Sequence, residues 1–205
     1  MTGSAVVFDI GGVLEFTPEH GVRAKWRHRL GMSQEAVDAV LADLEAAAVV
    51  GAVSEADWYA GVRRGLGLDE AALARWREEY WREYVGVLNR ELVDYVRELA
   101  GSGRCRTGIL SNSRVGARER EEAAYGLCSL VDDVVYSHEV GVGKPDPAVY
   151  RLLCERLALP AEQIFFVDDL PANVIAARAC GLRAHLFEDT AATIRAVEAF
   201  LRRPA

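Results

Sequence analysis

Apolar runs alternating with helical segments in the second half of the chain, one further run at its start and a purely helical block between them predict an α/β fold. That fold is a Rossmann-like parallel sheet core with a small all-helical domain inserted into it. The first run is Ala5–Phe8, and the others cover residues 107–110, 134–136, 164–167 and 184–187. Strands separated by helices pair in parallel and need helices on both faces. A lone N-terminal strand cannot stand by itself, so it joins the same sheet and the helical block becomes an insertion after it. The pattern assigns residues 1–16 and 92–205 to the sheet domain and 17–91 to the helical one.

The helical block carries its own punctuation. Ser33 can cap a helix over 34–50, Ser54 with Asp57 forms a capping-box pattern before Trp58, and Asp69 can cap 70–84. Leu73, Trp76, Tyr80, Trp81 and Tyr84 recur at helical spacing. No β-branched alternation occurs, so no strand is expected there. All four tryptophans, Trp26, Trp58, Trp76 and Trp81, fall in this block and predict a small helical core seated against the sheet domain. Farther on, Asp146-Pro147 opens a helix and Gly181 closes one. The charged run Arg118 to Glu122 reads as a solvated helix face with local ion pairs.

Composition narrows the function. The chain has 205 residues, 24 Lys plus Arg, 31 Asp plus Glu and a net charge of −7, which argues against a nucleic-acid partner. An anionic substrate would have to be captured by local charge, since the whole molecule repels it. The four cysteines have no zinc-type spacing and read as reduced thiols of a cytoplasmic protein. No uncharged stretch approaches the roughly 18 residues of a membrane span, and no signal peptide fits before Ala5, so no membrane contact is expected.

Ligands of open parallel sheets sit at the carboxyl ends of the strands. Asp9 follows the first run, Ser111-Asn112-Ser113 the second, Gly143-Lys144-Pro145 the third, and Asp168-Asp169 the fourth. Three carboxylates brought together repel unless protons or a divalent cation neutralise them. Mg²⁺ suits such all-oxygen ligands together with substrate phosphate. Lys144 and Ser111 can hold phosphoryl oxygens, and Asp9 can attack phosphorus to give an aspartyl-phosphate that water cleaves. Taken singly, the same residues could cap turns and helices.

Phe8-Asp9-Ile10-Gly11-Gly12-Val13-Leu14 resembles the first motif of the haloacid-dehalogenase-like hydrolases. Ile109-Leu110-Ser111-Asn112-Ser113 resembles the second, Gly143-Lys144-Pro145-Asp146-Pro147 the third, and Phe166-Val167-Asp168-Asp169-Leu170-Pro171-Ala172-Asn173 the fourth. The resemblance implies a phosphatase acting on a small phosphorylated metabolite, for instance a sugar phosphate. It implies Asp9 as nucleophile, with Asp9, the Gly11 carbonyl and Asp169 as Mg²⁺ ligands. Asp168 would orient the metal and Lys144. Ser111, Asn112 and Lys144 would hold phosphate, and the helical block would be a cap inserted after the first motif.

One position departs from the pattern. Many members carry a second Asp two residues after the nucleophile, which protonates the leaving group and activates water; here it is Gly11. Glu15, His20, a cap residue or a metal-held water would have to substitute, or the substrate would need a good leaving group such as a sugar 1-phosphate or acyl phosphate. Two other readings stay open: a metal-free 2-haloacid dehalogenase with the same nucleophile, and a non-catalytic binding protein of this fold.

Overall fold

The computed structural model describes residues 3–18 and 21–202. In chain order the strands are β1 (Ala5–Phe8), β2 (Glu15–Phe16), β3 (Val87–Leu88), β4 (Arg106–Ser111), β5 (Asp133–Tyr136), β6 (Ile164–Asp168) and β7 (Arg183–Leu186). The helices are α1 (Val22–Leu30), α2 (Gln34–Val49), α3 (Glu55–Leu66), α4 (Glu70–Val85), α5 (Arg90–Ser102), α6 (Ala117–Tyr125), α7 (Leu127–Leu130), α8 (Ser137–Val140), α9 (Pro147–Leu157), α10 (Pro171–Ala179) and α11 (Thr190–Leu201).

The chain is α/β. Five parallel strands form one sheet in the order β5-β4-β1-β6-β7, with Phe8 level with Ile109 and Val167. Every residue of β1 is buried, because successive side chains point to opposite faces and helices cover both. Val6 and Phe8 pack with Leu92, Val96 and Leu99 of α5 and Val197 of α11. Ala5 and Val7 pack on the other face with Val149, Tyr150 and Leu153 of α9 and Ala177 of α10. From β1 the sheet grows in both directions, β4 on one side and β6 on the other. Neighbouring loops therefore diverge at the carboxyl end of β1 and leave a crevice there.

Helices α1 to α4 build a second core. Ser33, Ser54 and Asp69 accept from the backbone N–H groups of Ala36, Asp57 and Ala72, at 3.2, 3.1 and 2.7 Å. Trp58 is wholly buried, and the rings of Tyr59, Trp76, Tyr80 and Trp81 lie 5.0–6.2 Å from it. This unit sits against the sheet domain through the Arg120–Glu55 ion pair at 2.7 Å and the Ser137 hydroxyl donating to the Val49 carbonyl at 2.7 Å. The cysteines are free thiols, Cys105 buried and the others half-buried. No helix among the described residues is long and apolar enough to cross a membrane.

Two expectations need correction. The 17–91 block contains a strand: β3 pairs antiparallel with β2, Phe16 opposite Val87 and Glu15 opposite Leu88. Two residues per strand are too few to leave an alternation pattern. The run Arg118 to Glu122 is not a solvated face with internal ion pairs. Ala117 and Glu121, four apart on α6, both face inward. Arg118 reaches Glu139 on α8 at 2.8 Å, and Arg120 reaches Glu55. Glu122 accepts from the backbone N–H of Cys128 at 2.7 Å. Partners on other elements outcompeted neighbours on the same helix.

Trp58→Ala is expected to cost about 3–5 kcal/mol, because the aromatic shell around it cannot collapse into the space left. Urea unfolding followed by far-UV circular dichroism measures this; a loss under about 1 kcal/mol would mean that the helical core does not depend on this residue.

Candidate active site

Asp9 stands at the carboxyl end of β1, where its N–H still bonds the Val167 carbonyl of β6 at 2.9 Å. One carboxylate oxygen, Oδ1, accepts from the Ile10 N–H at 2.7 Å, and Oδ2 lies 2.8 Å from the Lys144 ammonium. The chain then turns sharply, with the N–H groups of Leu14 and Glu15 both returning to the Ile10 carbonyl. Gly12 makes this turn at φ +73°, and a Cβ there would fall 2.3 Å from Asp169 Oδ2. Glycine thus lets the loop after β1 lie directly against the loop after β6.

Lys144 is the centre of the charge arrangement. Its side chain is fully buried, with the ammonium also 2.7 Å from Asp168 Oδ2. Its backbone is clasped by Asn112, whose Oδ1 accepts from the Lys144 N–H at 2.8 Å and whose Nδ2 donates to the Lys144 carbonyl at 2.6 Å. Asn112, expected to hold phosphate, does line the cavity, with its side chain turned to this backbone. Both ends of its amide are spent on Lys144, because a glycine at 143 brings that backbone close. Asp168, fully buried, accepts from the Leu170 N–H at 2.9 Å and from Asn173 Nδ2 at 3.0 and 3.1 Å. Ser111 Oγ lies 2.9 Å from Ser113 Oγ.

Negative charge exceeds positive here. Burial pushes the Asp9 carboxyl up to about 6 against the lowering effect of Lys144, and the Asp168 charge adds to the rise. Burial and Asp168 also raise Asp169. One oxygen from each of Asp9, Asp168 and Asp169 lies within 4.8 Å of the others. Asp168 already receives bonds from Lys144, Leu170 and Asn173, whereas Asp9 and half-buried Asp169 both line the open cavity, as does Gly11. An all-oxygen set with uncompensated carboxylates fits Mg²⁺.

The cavity holds about 230 Å³ and is completed by Glu15, Thr17, Tyr84 and Glu121 from β2, the following loop, α4 and α6. Glu15 is only 2% exposed, and its Oε2 has no hydrogen-bond partner. Burial first, then the charges of Glu121 and Asp9, push its pKa up to about 9. Glu121 accepts from the Tyr136 hydroxyl at 2.5 Å, and burial raises it to about 7. His20 lies outside the described residues. Glu121 and Tyr84 were missed from sequence. The spacing of Ala117 and Glu121 on one helix face was the available clue; Tyr84 was indistinguishable from a core aromatic.

The haloacid dehalogenase-like hydrolase family model matches residues 4–181. The chain belongs to this family. The hydrolase is 36% identical over 90 residues to a phosphatase of Mycobacterium tuberculosis, covering 43% of this chain and 41% of that one. It is 33% identical over 94 residues to a phosphoglycolate phosphatase of Cereibacter sphaeroides, covering 46% and 42%. The matches thus span under half the length of these relatives. A family enzyme of Bacteroides thetaiotaomicron, solved in complex with magnesium and inorganic phosphate, superposes with a TM-score of 0.75 at 15% identity, covering 90% of this chain and 94% of that one.

Lys144→Met is expected to destabilise the metal-free hydrolase by about 3–5 kcal/mol near neutral pH, because Asp9 and Asp168 keep buried charge without a counter-ion. Losing the cation removes what holds the Asp9 carboxyl down, so the deficit should shrink as pH falls and Asp9 takes up a proton. Urea unfolding in EDTA at about pH 7.5 and about pH 5.5 measures both effects; a deficit that grows on acidification would refute this account.

Proposed function

We propose that this hydrolase is a Mg²⁺-dependent phosphatase that cleaves a small phosphorylated metabolite through an aspartyl-phosphate on Asp9. The observation carrying the reading is Asp9 itself, held 2.8 Å from a buried ammonium in a cavity whose other nearby carboxylate, Asp169, calls for a cation. Asp9, Asp169 and the Gly11 carbonyl would hold Mg²⁺, which neutralises the repulsion between the phosphoryl group and the nucleophile. Lys144 and Ser111 bind phosphoryl oxygens and stay in place as charge shifts during transfer. Residues 17–91 act as the cap over this site. The net charge of −7 and the free thiols fit a cytoplasmic enzyme with no nucleic-acid partner.

Glu15 replaces the family's second Asp. An Asp9 oxygen bonds to phosphorus while the ester P–O bond breaks, and the departing oxygen takes the proton from Glu15. Water then attacks phosphorus, Glu15 takes one of its protons, and the P–O bond to Asp9 breaks to free inorganic phosphate. A buried carboxyl with a pKa near 9 carries the proton that the first step needs at neutral pH. A 2-haloacid dehalogenase reading is less economical, because Asp169 would face a carboxylate substrate with no charge to meet it.

Phosphate release from a panel that includes sugar phosphates, acyl phosphates and p-nitrophenyl phosphate tests the proposal. Release should need Mg²⁺ and vanish in Asp9→Asn. Glu15→Gln should lower turnover of alkyl esters by about a hundredfold. Wild-type turnover should fall as pH rises through about 9, where Glu15 loses its proton, and the variant should lack that limb. Release that survives EDTA, or that Asp9→Asn retains, would sink the proposal.

A second variant tests the departure at position 11. A Cβ built on Gly11 meets nothing within 4 Å, and the residue lines the cavity. Gly11→Asp should therefore raise turnover of esters with poor leaving groups by about tenfold or more. An unchanged or lower rate in a folded variant would show that the cavity has no use for a carboxyl there.

A further inference from the structure

Among the described residues lining the cavity Lys144 is the one cationic side chain, and two carboxylates already share its ammonium. The walls contributed from outside the parallel sheet bring Glu15, Glu121 and Tyr84. Arg118, which stacks on Tyr136 and pairs with Glu139, is absent from the lining, and so is Arg114. Arg114 packs over the rings of Trp58, Tyr80 and Tyr84 at 5.0–5.6 Å and faces Glu45 at 3.5 Å. On the cavity side of Tyr84, therefore, no described residue offers a positive charge to a second anionic group.

Thr17 and Tyr84 bring hydroxyls to these walls, and the two glutamates bring acceptors. Glu15 Oε2 is buried yet has no hydrogen-bond partner, and Glu121 is 1% exposed with a single tyrosine hydroxyl on Oε2. A carboxyl group keeps an acceptor oxygen whether or not it holds a proton, so these walls favour a ligand that brings N–H or O–H groups to them. A carboxylate or second phosphate at that place would lose its water and face two carboxyl groups. Sites built around unpaired polar atoms discriminate strongly against ligands that leave those atoms unpaired.

We infer that this cavity selects phosphate esters whose leaving group carries hydroxyl or amino groups and no second negative charge, with Glu15 and Glu121 as the residues that select. The inference rests on the phosphatase reading. It separates this chain from phosphatases of phosphorylated carboxylic acids, and it places selection on the wall formed by β2 and α6, away from the phosphoryl-holding groups.

Three two-carbon esters isolate the contribution of the wall: 2-hydroxyethyl phosphate, 2-aminoethyl phosphate and phosphoglycolate. With the Mg²⁺-loaded wild type, kcat/KM for phosphoglycolate should be about tenfold or more below that of the other two. Preference for both the hydroxyl and the amino ester indicates donor recognition; preference for the amino ester alone indicates recognition of its charge. Glu121→Gln removes a charge and keeps an acceptor for Tyr136, so it should narrow the gap severalfold, which a loss of folding alone would not do. Calorimetric binding of the three esters to Asp9→Asn with Mg²⁺ should give the same order without turnover. Phosphoglycolate handled as well as the other esters in either measurement overturns the inference, as does failure of all three to bind. Discriminating binding with no phosphate release by the wild type would instead overturn the phosphatase reading and leave the selectivity standing.

Discussion

Lys144 carries its charge out of water and divides it between Asp9 and Asp168, at 2.8 and 2.7 Å. None of these three groups tolerates burial alone, since an isolated buried ion loses its hydration and gains nothing in return. Each comes from a different segment: the end of β1, the loop after α8 and the end of β6. Asn112 fixes the backbone of the lysine, and Asn173 fixes the carboxylate of Asp168. One continuous polar chain, Asn112–Lys144–Asp168–Asn173, thus ties together the segments that converge at the sheet's switch point. Asp9 is oriented by that chain and by its own turn. Preorganisation of this kind lets a reaction proceed without rearranging the groups around it.

The surplus of carboxylates around this chain gives the site its character. Where Lys144 reaches, charge is balanced by contact. Where it does not, burial holds a proton on Glu15, which would be ionised in water, and pushes Glu121 up to about 7. Two environments within one cavity therefore set two carboxyl groups, Asp9 and Glu15, at different pKa values. The difference comes from neighbours and burial, since the residue types are nearly the same.

Much of this was legible in the residues alone. Apolar runs bounded by turn residues located all five strands of the sheet, because a strand buried on both faces has little freedom in composition. Strand ends then drew attention to Asp9, Ser111, Lys144 and Asp168-Asp169, and the structure brings them together. What escaped were features fixed by contacts between distant segments. The two-residue strands β2 and β3 exist through each other and carry no periodic signature. Glu121 sits in a charged run, and only the hydroxyl of Tyr136, fifteen residues away, accounts for its burial. The Asn112 amide could have faced substrate or backbone, and the closeness of the Lys144 backbone decided it.

The pairing of β2 with β3 has a consequence for descent. The helical unit leaves the sheet domain beside β1 and returns to it through adjacent, antiparallel segments. Entry and exit are thus neighbours, and the distance the inserted chain must span is set by one strand spacing whatever its length. Since closing a longer loop adds little entropic cost, helices between residues 17 and 86 can be lengthened, shortened or replaced without straining the sheet. Such an attachment works as a socket: the half of the molecule that holds the charges can stay fixed through lineages while the helical half is exchanged.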